Sequence, residues 1–342
     1  MKICRRLLCA MLALCLLAPV PVRAHDGYTD REKMDAFVGY MNEKAAVIGM
    51  TGSKFYDPIG MNNFTTARDF LKLMLWADQY RDLAPIWGAE EQTLEVTGEK
   101  PREQTVTSTI RGSEFLEPYY EVLGCKDGEF PDKEVRNLAL ILQIPDSKER
   151  LAVVVLCAYG HNRLETGTRA VAKKAADLAL TKYRDPEADL SGEKLFCQSA
   201  MVALIPAEGA DLENPQILYE KDPDRQVMTA SIAKVLTAVC VLDIQRDLEK
   251  TFSYQFIDTN IGGFYVYDFF PGDEMTLRQG LYALLLPSSN VTARALARES
   301  GGVILEQGSP DPTQIPNPMP ETMTHGAIAS AVTGICGAKT RE

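Results

Sequence analysis

The 342-residue sequence is poor in the side chains that metal sites and nucleic-acid surfaces require. Histidine occurs three times, at His25, His161 and His325, scattered along the chain. The eight cysteines form no C-x-x-C pair, so zinc-ligand spacing is missing and no metal or other cofactor is implied. Lys and Arg number 36 against 47 Asp and Glu, for a net charge of -11. Without a cationic excess to neutralise phosphates, nucleic acid is excluded as the main partner. No internal repeat is visible, which excludes solenoids and arrays. At 46% hydrophobic and 24% charged residues the chain reads as globular, with length for one large domain or two modest ones.

A leader is legible at the N-terminus. Lys2, Arg5 and Arg6 precede the apolar run 7–20, and Val22-Arg23-Ala24 resembles a signal-peptidase site. The run is short for a membrane span and ends at Pro19 and Pro21. The expectation is a signal peptide over 1–24 and export to the periplasm or the extracellular cell wall, with no stable membrane anchor after cleavage. Beyond it lie Cys125, Cys157, Cys197, Cys240 and Cys336. Cys157 and Cys240 sit in apolar runs, as buried small hydrophobes do. No disulfide pairing can be read.

Helical spacing is present at 31–50 and again after Thr65 and Thr66, either of which can cap the helix that follows. Residues 91–112 alternate and read as short strands. The apolar runs 137–144 and 151–159 flank a polar turn and predict a hairpin. A helix is predicted over 168–183, a polar linker over 184–195, and a second hairpin from 199–206 and 216–220. Three further helices are predicted: from about Ser231 to Ile244, over 277–285, and from Asn290 to a stop at Gly301-Gly302. Five prolines between Pro310 and Pro320, without periodicity, predict a flexible tail over 306–342.

The sharpest chemical feature is Ser231-Ile232-Ala233-Lys234. Residues i and i+3 at a helix start share a face, so the Ser hydroxyl and Lys amine can meet. A neutral lysine can take the hydroxyl proton and leave an acylating serine. That requires a lysine pKa lowered by burial or nearby cations. Alone, the pattern also fits a capping serine followed by a surface lysine. Downstream, Ser288-Ser289-Asn290 follows an apolar helix and can relay a proton and hold a peptide backbone, or simply cap the next helix.

Together these motifs resemble those of the D-alanyl-D-alanine carboxypeptidases, the low-molecular-mass penicillin-binding proteins. Residues 227–238 resemble their nucleophile helix, and 272–277 with 282–290 resemble the segment of their second motif. The third motif is missing downstream. Its match is upstream, at Lys126-Asp127-Gly128, followed by Arg136-Asn137-Leu138-Ala139 for the paired strand. Residues 37–45, 49–50, 57–60 and 65–69 resemble the helix, loop and helix that come after the second motif. The halves are therefore in swapped order, which implies a circular permutation. A misassembled gene is the rival explanation. In this arrangement 25–183 resembles the C-terminal half of the catalytic domain and 196–305 the N-terminal half, with 184–195 joining them.

The implied fold is α/β (α+β): an antiparallel sheet flanked by helices, with a helical subregion and the site between them. The implied ligands are peptidoglycan stem peptides ending in D-Ala-D-Ala, and β-lactams. The resemblance makes Ser231 the nucleophile, Lys234 its base and Ser288 the proton shuttle. Asn290 positions the peptide, Lys126 tunes the field, and Gly128 lies in the third motif. Glu129 and Ser231 supply oxyanion-hole N–H groups. One residue departs from the pattern. Asp127 replaces Thr or Ser, where the family's Lys and hydroxyl meet the substrate's terminal carboxylate. That change favours, as an alternative, a non-catalytic wall-binding homologue. A β-lactamase ranks below both, because no matching Glu for a deacylating water is found. A second triplet-like stretch, Gly337-Ala338-Lys339-Thr340, lacks the closing Gly and reads as a chance match.

Overall fold

The computed structural model describes residues 27–111, 116, 119–159, 167–259, 261 and 269–320. The stretch 1–24, predicted as a signal peptide, and residues 321–342 of the predicted tail, with Lys339, lie outside the described residues. The first helix among the described residues, α1 (Asp30–Ile48), opens on a capping box in which Thr29 and Glu32 satisfy each other's backbone N–H groups. A loop leads to the short strand β1 (Phe64–Thr65) and to α2 (Ala67–Ala77), capped by Thr66. After α3 (Ala84–Trp87), the alternating segment forms the hairpin β2 (Glu91–Gly98) and β3 (Arg102–Thr107). Next come β4 (Glu121–Phe130), β5 (Val135–Gln143), β6 (Arg150–Ala158) and α4 (Thr168–Arg184). The second half carries β7 (Cys197–Ile205), β8 (Ile217–Lys221) and β9 (Val227–Met228). A 3-10 turn over Ala230–Ala233 runs into α5 (Lys234–Ile244). The remaining elements are β10 (Thr251–Ser253), α6 (Phe256–Thr259), β11 (Asp273–Thr276), α7 (Leu277–Leu285) and α8 (Asn290–Gln307).

The central sheet has the order β4-β5-β6-β7-β8, antiparallel throughout. Its inner strands are apolar at nearly every position because both faces are covered, and successive side chains point to opposite sides. Leu138, Leu140, Leu142, Val153, Val155 and Val202 join the core beneath α4. Ala139, Ile141, Ala152, Val154, Met201 and Ala203 join the core shared with the other helices. The face of α4 turned to the sheet is built from Val171, Ala172, Ala175, Ala176 and Ala179, small enough for close approach. On the opposite side α2 packs on β6 and β7. Every residue of α5 is buried, as expected of a helix that is apolar all round. This is an α+β architecture with antiparallel sheets, the class the sequence predicts.

Two predicted features differ. Gly301-Gly302 does not end α8, which continues to Gln307. The glycine serves a helix crossing instead: a Cβ on Gly301 would lie 1.8 Å from the Lys33 carbonyl oxygen of α1. Nor is the stretch 308–320 loose. Lys44 Nζ donates to the carbonyls of Pro312 and Gln314, Met319 N donates to Gln79 O, and Asn317 Nδ2 donates to Asp82. Tertiary hydrogen bonds hold a segment that its proline content alone does not order. Among the described residues no helix is long and apolar enough to cross a membrane.

The connection between α4 and β7 explains the role of 184–195. Ala158 at the end of β6 pairs with Cys197 at the start of β7. The chain must therefore return along the length of α4, about 25 Å for its 17 residues. Twelve residues can span up to about 40 Å, so the linker reaches.

Candidate active site

The turn that carries Ser231 is held from two sides. Asn137 of β5, buried, donates through Nδ2 to the carbonyls of Met228 and Thr229, both at 2.8 Å. Its Oδ1 accepts from Cys157 N at 2.9 Å. Thr229 N donates to Asn63 O, and Phe64 pairs with Met228, so the 57–65 loop holds the other side. That loop is itself organised by Asp57, whose carboxylate accepts from the N–H groups of residues 59–62. Ala230 then takes a left-handed φ of 47° immediately before Ser231. Such a non-glycine conformation costs about 1–3 kcal/mol and persists only where the surroundings enforce it.

Within the site Lys234 Nζ is the hub. It donates to Ser231 Oγ at 2.8 Å, to Ser288 Oγ at 3.3 Å and to Asn290 Oδ1 at 2.6 Å. The lysine is fully buried at the start of α5. Ser288 reaches it because its backbone, with φ of 65°, turns sharply after α7. Ser289 points elsewhere: its Oγ accepts from Thr292 N and caps α8. Of the two serines in that loop, one faces the lysine and one closes a helix. Asn290, assigned from sequence to the peptide, presents its Oδ1 to Lys234.

Strand β4 brings Gly128, from the Lys126-Asp127-Gly128 stretch read as the third motif, against the Ser231 turn across more than 100 positions of sequence. A Cβ added to Gly128 would stand 2.6 Å from Ser231 N and 2.7 Å from Ile232 N. Only a residue without a side chain allows this approach of an edge strand to the turn. Lys126, two residues earlier, is buried, and its Nζ donates to Asp127 Oδ1 at 2.8 Å. The same Oδ1 accepts from Thr109 Oγ1 at 2.8 Å, and Arg169 Nη2 donates to Thr109 O. Thr109 N donates to Leu286 O, tying this corner to the loop of Ser288. Burial acts to raise the Asp127 carboxyl, but the Lys126 charge and the hydrogen bonds outweigh it and hold the group below the usual carboxylate range. Glu129 follows in β4, in register with Arg136, and its side chain is exposed.

Thr109 carries no motif that distinguishes it in the sequence, and it is held at the corner by its own hydrogen bonds to Asp127 and Leu286. Asn137 lies in the stretch read from sequence as the paired strand, but its clamp on the Ser231 turn appears only once β5 is placed. The four described cysteines are buried and form no disulfide among themselves. Burial pushes the Cys125 thiol up to about 11 and the Cys197 thiol up to about 12, so neither is a candidate nucleophile. Among the described residues no group of three or more His, Cys, Asp or Glu side chains is placed to hold a metal ion.

Residues 202–305 match the family model for D-alanyl-D-alanine carboxypeptidase. That span contains Ser231, Lys234, Ser288 and Asn290, whereas Lys126, Gly128 and Glu129 lie outside it. No curated protein and no solved structure matches the chain.

Proposed function

We propose, from the D-alanyl-D-alanine carboxypeptidase pattern of residues 202–305, that the protein is a serine peptidase cleaving D-Ala-D-Ala stem peptides through an acyl-enzyme on Ser231. The observation that carries this reading is the hydrogen bonding of one buried amine, Lys234 Nζ, to Ser231 Oγ, Ser288 Oγ and Asn290 Oδ1. As an ammonium, Lys234 has three N–H donors for three acceptors. As a neutral amine it keeps two N–H groups for Ser288 and Asn290, and its lone pair faces the Ser231 hydroxyl.

In the proposed reaction Lys234 takes the Ser231 proton as Oγ attacks the penultimate carbonyl. Ser288 passes a proton to the departing D-alanine nitrogen, and water then releases the acyl group. The contact between Gly128 and the Ser231 turn favours an oxyanion hole built from the N–H groups of Ser231 and Glu129. β-Lactams would acylate the same serine. Export to the cell wall is part of the proposal and rests on the pattern of residues 1–24.

The segment order is proposed as a circular permutation of the family's domain. Tyr28 OH donates to Leu305 O, and Gly301 packs on Lys33, so the start of α1 lies beside the end of α8. The two helices that the swap separates in sequence are neighbours in space, as permutation of one domain requires.

Release of D-alanine from a pentapeptide stem tests the function. Release by the wild type and none by Ser231→Ala supports it. A non-catalytic wall-binding role, favoured by Asp127, is indicated if both proteins bind the peptide and neither releases D-alanine.

A further inference from the structure

The third-motif corner has an unusual distribution of charge. Lys126 would be the cation nearest the Ser231 turn on β4, yet its side chain has no exposed surface, while the Asp127 side chain is 22% exposed. An incoming ligand therefore meets the carboxylate before it meets the ammonium. That carboxylate is ionised and already engaged, accepting from Lys126 Nζ and Thr109 Oγ1. Arg169 donates to Thr109 O, and its charge also favours the ionised Asp127 carboxyl. Asp127 thus holds the position that a ligand's own carboxylate would need in order to reach Lys126. A second anion there must displace it or sit against it, and like charges brought together across a binding surface are strongly disfavoured.

We infer that Asp127 sets substrate class at this site, selecting stem peptides whose terminal carboxylate is masked as an amide over those that end in a free carboxylate. The inference rests on the proposed function, because it takes the corner beside Lys126 as the place where the end of the peptide lies. An amide suits the corner chemically. Its N–H can donate to Asp127, and it brings no charge to compete for Lys126. The two cations present are then shared with one resident anion, not stripped from it.

Calorimetric binding to the Ser231→Ala protein tests this without turnover, using diacetyl-L-lysyl-D-alanyl-D-alanine and its C-terminal amide as probes. The amide should bind about tenfold more tightly, a difference of about 1.4 kcal/mol. Adding Asp127→Thr should reverse the preference, and Asp127→Asn, which keeps the shape and removes the charge, should move it the same way. Tighter binding of the free acid, with a ratio unchanged by either substitution, would overturn the inference and leave the carboxylate to Arg169. Failure of both probes to bind any variant would overturn the functional reading together with it. Acid preference in a protein that still acylates at Ser231 would overturn this inference alone.

Discussion

Gly128 and Ser231 touch through their backbones, so closely that a methyl group on the glycine would lie 2.6 Å from the serine nitrogen. One residue belongs to an edge strand from the first half of the chain, the other to the turn that opens α5 in the second half. Gly128→Ala should therefore push the turn away from β4. The expected outcome is a loss of about 1–3 kcal/mol of stability, as for other overpacked sites. Acylation by a fluorescent penicillin should slow by at least about a hundredfold, since small misplacements at a reacting centre are costly. Unchanged acylation would remove β4 from the site.

Asn137 offers a separate test of how the turn is held. Asn137→Ala leaves the carbonyls of Met228 and Thr229 and the N–H of Cys157 without this partner in a buried place. Each unsatisfied group costs about 1–3 kcal/mol where nothing replaces the bond. Urea unfolding should show a loss at the upper end of that range, and the acylation rate should fall with it. A Tm and rate equal to wild type would mean that the turn is held by the 57–65 loop alone.

The buried cluster of Lys44, Asp243, Tyr40 and Tyr80 makes a third prediction. Lys44 Nζ lies 2.9 Å from Asp243 Oδ2, and both tyrosine hydroxyls donate to the same carboxylate. Burial raises the Asp243 carboxyl against the pull of Lys44, and burial also raises both phenols. Lys44→Ala would leave the buried carboxylate with its two tyrosine donors but without its cation, and should cost up to about 3–5 kcal/mol in denaturant titration. It also removes the donor to Pro312 and Gln314, so hydrogen exchange at 311–319 should accelerate more than in α4.

Asp127 makes the stability depend on pH in a definite sense. Its folded-state carboxyl is held below the ordinary value, so the folded protein binds that proton less readily than the unfolded chain. The stabilisation is therefore present above about pH 4, the ordinary aspartate range, and is lost as pH falls through the lower folded value. Relative to Asp127→Asn, wild type should be more stable at pH 7, and the gap should close under acid. A gap that is constant with pH would show that the Lys126 pairing contributes nothing through charge.

The parts that were legible in the sequence follow from local chemistry. The hairpin of β5 and β6 could be read because both strands are covered on both faces and so are continuously apolar. Ser231 and Lys234 could be paired because a single helical turn brings i and i+3 together. A glycine that ends a helix and one that admits a neighbouring helix look alike until the neighbour is placed, so Gly301-Gly302 predicts a stop that α8 does not make. The order of 308–320 depends on carbonyls reached by Lys44, and because any residue supplies a carbonyl it leaves no mark in the sequence. The pairing of Lys126 with Asp127 was hidden for a different reason. Adjacent residues on a strand ordinarily point to opposite faces, so nothing in the sequence suggests that they meet.

The central claim is that Ser231, with Lys234 as its base, forms a covalent acyl-enzyme. Intact-mass spectrometry after incubation with a penicillin, followed by peptide mapping, tests it most directly. The account predicts one adduct, located on Ser231, absent from Ser231→Ala and formed at least about a hundredfold more slowly by Lys234→Ala. No adduct in the wild type, or an adduct that persists in Ser231→Ala, would contradict it.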